Sequence, residues 1–524
     1  AAEAAHRALA FDPAARLYRK ALEVLAPTGA ERRDLLRRLA DALADGGRGA
    51  EAGPVYLEAA EGAERAESLE LRSIAAHQFL MSGHLDEWQT VIEPIQRELG
   101  IRLTRSRFLA LLRISRDLTW IRLRGFRYRK RDPATIQRDA ILRLEVCFSL
   151  ATGLSHINVL EGIQYHTLSV RLALRLGHPL YVALVVSRHI AYEVVGSGAS
   201  DRRIKWLLKT ATRLAEDVGV PVADADLNLG IGVGSFIKGE WGPAREPLRK
   251  AAKRIREECV GVWWEGDTAE FYGLMCLDFQ GKFRELVPAG NLLLREAEDR
   301  GSLYMETDLR TRIIYLSDLL RDAPGDAQEG LDRAIAKWRS EEWSLQHYRW
   351  TESRISVALY RGEFAGAQEL VAQVWPGFRR SFFHRVPLLW NVLVFGRERL
   401  ALVEAGDSPK SGRARALLSK ADRVGRRLAR REPYAAGWGL LLRAGAANLS
   451  GNAEAALRHL EAAEEKFVKA EMGAYVAVTK RRRGELIGGD EGRELITEGN
   501  AWLEGQGIQN PAAWSRMYAP GFED

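Results

Sequence analysis

Cysteine is nearly missing: the 524 residues hold three, Cys147, Cys259 and Cys276, far apart and without C-x-x-C spacing. That excludes a disulfide-stapled fold and predicts reduced thiols in a cytoplasmic protein. Alternating β-branched residues are almost absent, which argues against sheets. No apolar run approaches the roughly 18 residues that span a bilayer. The richest, around Tyr181–Val195, is broken by Arg188, His189 and Glu193. No secretory leader precedes the first helix. There is no G-x-x-x-x-G-K-[ST] phosphate loop and no H-E-x-x-H, so neither nucleotide hydrolysis nor a resident metal or cofactor is expected. The chain lacks an initiating Met and starts inside a helical repeat, which predicts a segment of a longer protein.

What is present is helix-forming. Ala, Leu, Arg and Glu dominate, and 77 basic residues stand against 70 acidic ones, a net charge of +7. Over this length that excess is mild and does not by itself imply nucleic acid. The stretch Asn448–Phe467 reads as a helix end, a tight turn at Gly451 and a second helix with small residues at Ala453, Ala456 and Ala463. Small side chains let a neighbouring helix approach, so the unit is a hairpin made for stacking. Related turns are predicted at Gly47, Gly83, Gly162, Gly198, Gly239, Gly281, Gly325, Gly362, Gly406 and Gly451, mostly 36 to 45 residues apart. That period spans tetratricopeptide units and their longer relatives. The expected fold is therefore all-α, a tetratricopeptide-like helical-hairpin solenoid wound as a right-handed superhelix of about two dozen helices.

The beat slips between Arg102 and Asp132. There a long helix, about 105–124, is followed by another, about 134–155, without an evident partner. This is either a degenerate repeat or a join. It sets the expected divisions: an N-terminal helical sub-array over 1–132, the main solenoid over 133–486, and a capping helix and tail over 487–524, folded back over the final hairpin.

Candidate chemistry is sparse, and no Ser/His/Asp constellation or isolated carboxylate pair stands out, so no catalytic residue is expected. Gly230, Gly232 and Gly234 resemble half of a dinucleotide fingerprint, yet they sit inside an apolar helix, and close helix packing is the better account. His189 and Glu193, four apart, share a helix face and read as a buried hydrogen-bonded pair rather than the start of a metal site. Arg122, Arg124, Arg127, Arg129, Lys130 and Arg131, interleaved with Phe126 and Tyr128, form the densest basic run. Such a run can grip phosphates and stack bases, but a solvated loop is the favoured reading and nucleic acid is not the expected partner. Trp263, Trp264 and Glu265 begin one helix, and Gln346, His347 and Tyr348 lie near the start of another, between Trp343 and Trp350. Aromatic and Arg anchors favour binding; the same side chains also fill gaps between hairpins. These six are the candidate liners of a concave groove.

The phrase Ala8–Leu22, with Leu123-Arg-Gly125-Phe126, Gly153-Leu-Ser155, Gly239-Glu-Trp241, Leu359-Tyr360-Arg-Gly362 and the terminal Gln506–Pro511 and Pro520-Gly521-Phe522, resembles a repeat region found in large bacterial serine/threonine protein kinases. The resemblance runs essentially end to end. Those proteins carry an N-terminal kinase domain and a central AAA-type ATPase. No kinase glycine-rich loop, HRD or DFG occurs here, so their catalytic parts would lie upstream. The resemblance implies a non-catalytic regulatory and sensor module whose concave face binds a protein segment, a small effector or the upstream domains, without a membrane. The alternative is the repeat region of an ATP-dependent transcription regulator touching nucleic acid or an anionic partner through Arg124–Arg131.

Overall fold

In the computed structural model, described over residues 1–104, 106–195, 201–338, 343–408 and 411–522, helices follow one another from Ala2 to Tyr518, with no strand among the described residues. Successive helices pack as antiparallel pairs, and pairs stack on pairs. The pair Pro433–Leu449 and Ala453–Lys469 shows why these residues do so. On the second helix Ala456, Leu460, Ala463 and Phe467 are completely buried and repeat at the spacing of one helical face. Phe467 seats where the partner helix carries Gly437, whose added Cβ would lie 2.4 Å from the ring. Asn452 caps the helix by accepting the Ala455 N–H at 3.0 Å.

The expected all-α hairpin array is what the chain forms, but of the nine predicted glycine turns among the described residues six are turns. Gly47, Gly83, Gly239, Gly281, Gly362 and Gly451 take positive φ between helices. Gly162, Gly325 and Gly406 instead lie within the helices Val159–Leu176, Pro324–Lys337 and Pro387–Asp407, and Gly198 falls outside the described residues. A glycine that lets helices touch and a glycine that ends one read alike in sequence.

At the slip, the long helix runs Arg107–Arg124 and the next Arg138–Leu154; Arg105 is outside the described residues. The stack does not break there. Arg65–Ser82 packs directly on Arg138–Leu154 across one core that holds Leu69, Leu80, Leu142 and Leu150. His77 also meets Ser149 at 2.6 Å. Arg107–Arg124 is an extra helix laid over Val159–Leu176. The C-terminal helices Gly473–Ile487 and Gly489–Gly505 form a last hairpin, so the division expected at 486 falls inside a pair.

The coil is tightly wound. Leu345 N–H donates to His156 O at 2.9 Å and Val159 N–H to Ser381 O at 3.1 Å, contacts 189 and 222 residues apart in the chain. Gly83 sits against Tyr304, Gly239 against Tyr434 and Gly281 against Ala474, each turn touching a hairpin of the next superhelical winding. Segments far apart in the chain are therefore in contact across the coil.

The tail turns back onto the final hairpin, with Tyr518 stacked on Tyr475 at 4.2 Å and Arg482 Nε donating to Ala519 O at 3.1 Å, and it also reaches earlier helices. Helix Pro511–Tyr518 lies on Leu345–Arg361, with Trp514 completely buried against Phe283 and Tyr360. Gln509 N–H donates to Leu320 O at 3.0 Å and Arg399 to Met517 O at 2.7 Å.

Candidate functional site

Where the windings meet, an interior cavity of about 210 Å³ remains. Its walls are the inner helices Arg138–Leu154, Pro179–Val195, Pro221–Lys238, Trp263–Gln280, Leu345–Arg361 and Pro387–Asp407. Two of these touch backbone to backbone. A Cβ on Gly230 would stand 2.3 Å from Ser187 O, and one on Gly234 would stand 3.0 Å from the Ile190 side chain. Close packing is thus what the glycine run provides. It draws Leu229, Val233 and Phe236 against the cavity from one side, facing Met275, Phe279 and Val392. His156, Arg188, Tyr192 and Tyr272 are surrounded by protein yet keep partial accessibility, because their open surface faces this space.

The arginines around the cavity are all paired with carboxylates. Arg188 Nε donates to Asp226 Oδ1 at 2.9 Å and Nη2 to Glu265 Oε1 at 2.8 Å, while Nη1 meets the Thr152 hydroxyl and the guanidinium covers Phe148 at 3.9 Å. Arg349 pairs with Asp308 and lies over Phe271. Glu352 faces Arg312 at 3.5 Å, and Arg312 holds Asp278 at 2.5 Å. Arg312 comes from a π-helical turn, Arg310–Ile314, set in an otherwise α-helical rod. Burial pushes the Asp226 carboxyl up to about 6 against the pull of Arg188, and Asp278 likewise to about 6 against Arg312. Burial drives His156 down to about 4, helped by Arg349, so its ring is neutral near pH 7.

Of the six predicted groove residues, the structure brings Trp264 and Tyr348 to the cavity wall. The other four lie elsewhere. Trp263 donates its indole N–H to Asp45 O and carries Arg300 over its ring, bridging two windings. Glu265 neutralises Arg188. Gln346 is completely buried. His347 forms a capping box with Ser344. Position along the helix decides this, since neighbours in sequence point 100° apart. Arg188, Arg349, Glu352, His156 and Tyr272 were not picked out from sequence as liners. The available signal was a charge interrupting an apolar helix, as Arg188 does in Pro179–Val195.

His189 and Glu193 form the predicted buried pair at 3.1 Å. The chain of contacts extends to His166 Nε2, 2.8 Å from His189 Nδ1, and to Arg122, 3.1 Å from Glu193. Among the described residues no group of three or more His, Cys, Asp or Glu is placed to hold a metal. No described helix is long and apolar enough to cross a membrane. All three cysteines are free thiols, Cys147 and Cys276 being buried.

The basic residues Arg124, Arg127, Arg129, Lys130 and Arg131 are exposed, as the solvated-loop reading expects, while the interleaved Phe126 is buried against Trp206 and His189. The loop is pinned by the Arg131 N–H to Gly177 O bond at 3.0 Å. The adjoining helix exposes Phe108, Leu109, Leu111, Leu112 and Leu123.

No family model matches the chain, and no curated protein matches its sequence. Among solved structures it is similar to the human IFIT1 dimer with m7Gppp-AAAA, at 13% identity and a TM-score of 0.34, over 87% of this chain and 94% of that one. So loose an overlay carries no argument about site or ligand.

Proposed function

We propose that this chain is a non-catalytic sensor and interaction module that binds a small effector in the lumen of its coil. The carrying observation is the cavity itself. Its liners run from Thr152 to Val392, so a bound molecule touches hairpins from separate windings at once. Occupancy would change how tightly the windings close, and a solenoid converts small changes per repeat into a change of overall curvature. The resemblance to repeat regions of bacterial serine/threonine kinases supports upstream kinase and AAA-type ATPase domains as the recipients of that change, in a cytoplasmic protein.

The test is thermal unfolding with a metabolite panel, using wild type and Val233→Trp, a substitution that fills the cavity. A ligand at 100 times its dissociation constant adds about 2.7 kcal/mol of stability. The reading requires a shift in wild type that the filled variant lacks. A shift equal in both proteins contradicts it.

A second reading rests on the exposed cations of 124–131, which suit an anionic partner such as nucleic acid. A salt-dependent gel shift that survives Arg127→Ala with Arg129→Ala removes that stretch from the idea.

A further inference from the structure

The cavity's polar groups define the chemistry of what it holds. This step rests on the proposal that the lumen is a ligand site. Three charged side chains line the space, Arg188, Arg349 and Glu352, and each is already paired: Arg188 with Asp226 and Glu265, Arg349 with Asp308, Glu352 with Arg312. An anionic ligand would surrender its hydration and meet no free cation. Arg188, Arg312 and Arg349 are outnumbered by Asp226, Glu265, Asp278, Asp308 and Glu352, so anions are disfavoured.

Four neutral polar atoms on residues of the wall lack a hydrogen-bond partner among the described residues: His156 Nε2, the Tyr272 and Thr268 hydroxyls and the Trp264 indole N–H. His156 Nδ1 lies 3.1 Å from Thr152 O. A carbonyl oxygen only accepts, so Nδ1 carries the ring proton and Nε2 is a bare acceptor. No hydrogen-bond partner for Nε2 exists among the described residues, and the atom is not sealed in protein. The Tyr272 hydroxyl is in the same position: on the cavity wall, unsealed, and without a hydrogen-bond partner among the described residues. Apart from the hydroxyls of Thr152, Ser155, Tyr192, Thr268 and Tyr348, the remaining wall is aliphatic and aromatic, with Trp264, Phe236 and Phe279 supplying ring faces and edges. As a size guide, an apolar cavity of about 150 Å³ takes up benzene; this one, about 210 Å³, has room for a substituted or fused ring.

We infer that the lumenal site takes a non-anionic ring compound carrying a hydrogen-bond donor, of the phenol or indole type, with the donor directed to His156 Nε2 or the Tyr272 hydroxyl and the ring among Val233, Phe236, Trp264 and Phe279. A donor-bearing ring satisfies an atom that an unsubstituted ring leaves bare, and sites built around such atoms reject the analogue that lacks the donor.

The experiment titrates the whole chain with four probes, phenol, indole, toluene and benzoate, by calorimetry and by unfolding temperature. Phenol and indole are expected to bind with dissociation constants below about 1 mM. Toluene should bind about tenfold more weakly, the worth of one hydrogen bond, and benzoate should show no binding. Tyr272→Phe and His156→Phe, each first checked for wild-type helicity and a cooperative melt, should together reduce the advantage of phenol over toluene to less than about threefold. Toluene binding as tightly as phenol overturns the donor requirement while leaving the lumenal site standing. Benzoate binding as tightly as phenol overturns the exclusion of anions in the same way. Failure of all four probes to bind overturns this inference, while a shift from another metabolite that Val233→Trp abolishes would keep the lumenal site. Binding that persists undiminished in Val233→Trp places the ligand elsewhere and overturns both.

Discussion

Single residues in this chain serve two masters, and glycine shows it best. Gly239 has φ of +78° and its missing Cβ leaves room for Tyr434, 2.2 Å from where that atom would be. Gly451 has φ of +81° and open space around it. Gly451→Ala should therefore cost only the backbone strain, about 1 kcal/mol, while Gly239→Ala should add overpacking and cost about 2–4 kcal/mol. Urea unfolding of the two variants checks the difference. His156 supplies a pH prediction. Its folded pKa is depressed from the usual 6.5 to about 4, so its contribution to stability is present above 6.5 and lost as pH falls toward 4. Asp226 and Asp278, raised to about 6, have the opposite sign: their contribution is greatest below 3.8 and lost as pH rises through 6. His156→Phe should therefore gain on wild type by up to about 3 kcal/mol between pH 6.5 and 4, read from urea midpoints at each pH. The turn glycines were legible because positive φ favours this residue. Gly162, Gly325 and Gly406 misled because helix contacts select it too.

At the scale of helices, the hairpins were legible and their docking was not. The stripe Ala456, Leu460, Ala463, Phe467 has one period and one face, so sequence reveals it. The helix Arg107–Arg124 registered only as a lost beat, since nothing local says that Arg138–Leu154 packs past it onto Arg65–Ser82. Arg188 ties three inner helices through Asp226, Glu265 and Thr152. Arg188→Leu leaves two buried carboxylates uncompensated and should cost about 3–5 kcal/mol at pH 7. Without Arg188, Asp226 has lost the partner that lowers its pKa, so it takes up a proton more readily and the loss should shrink at pH 5. A loss independent of pH would contradict this account. Trp514→Ala empties a completely buried site between Phe283 and Tyr360 and should cost about 3–5 kcal/mol by chemical denaturation.

For the whole molecule, curvature is the sum of small rotations between repeats, and no local pattern encodes that sum. This is why the contacts between windings were not legible in the sequence. Those contacts, such as Trp241 with Tyr434 and Gln280 with Glu471 at 2.7 Å, join segments far apart in the chain. They also place the binding space inside, where only Trp264 and Tyr348 of the predicted liners reach it. The central claim is that this space is a permanent, accessible, apolar lumen. Diffraction from crystals pressurised with xenon tests it most directly, because xenon enters dry apolar cavities without needing polar partners. The account predicts a xenon peak between Val233, Met275, Phe279 and Val392, with the surrounding helices in place. No peak, with the windings drawn together and those four side chains in mutual contact, would contradict it.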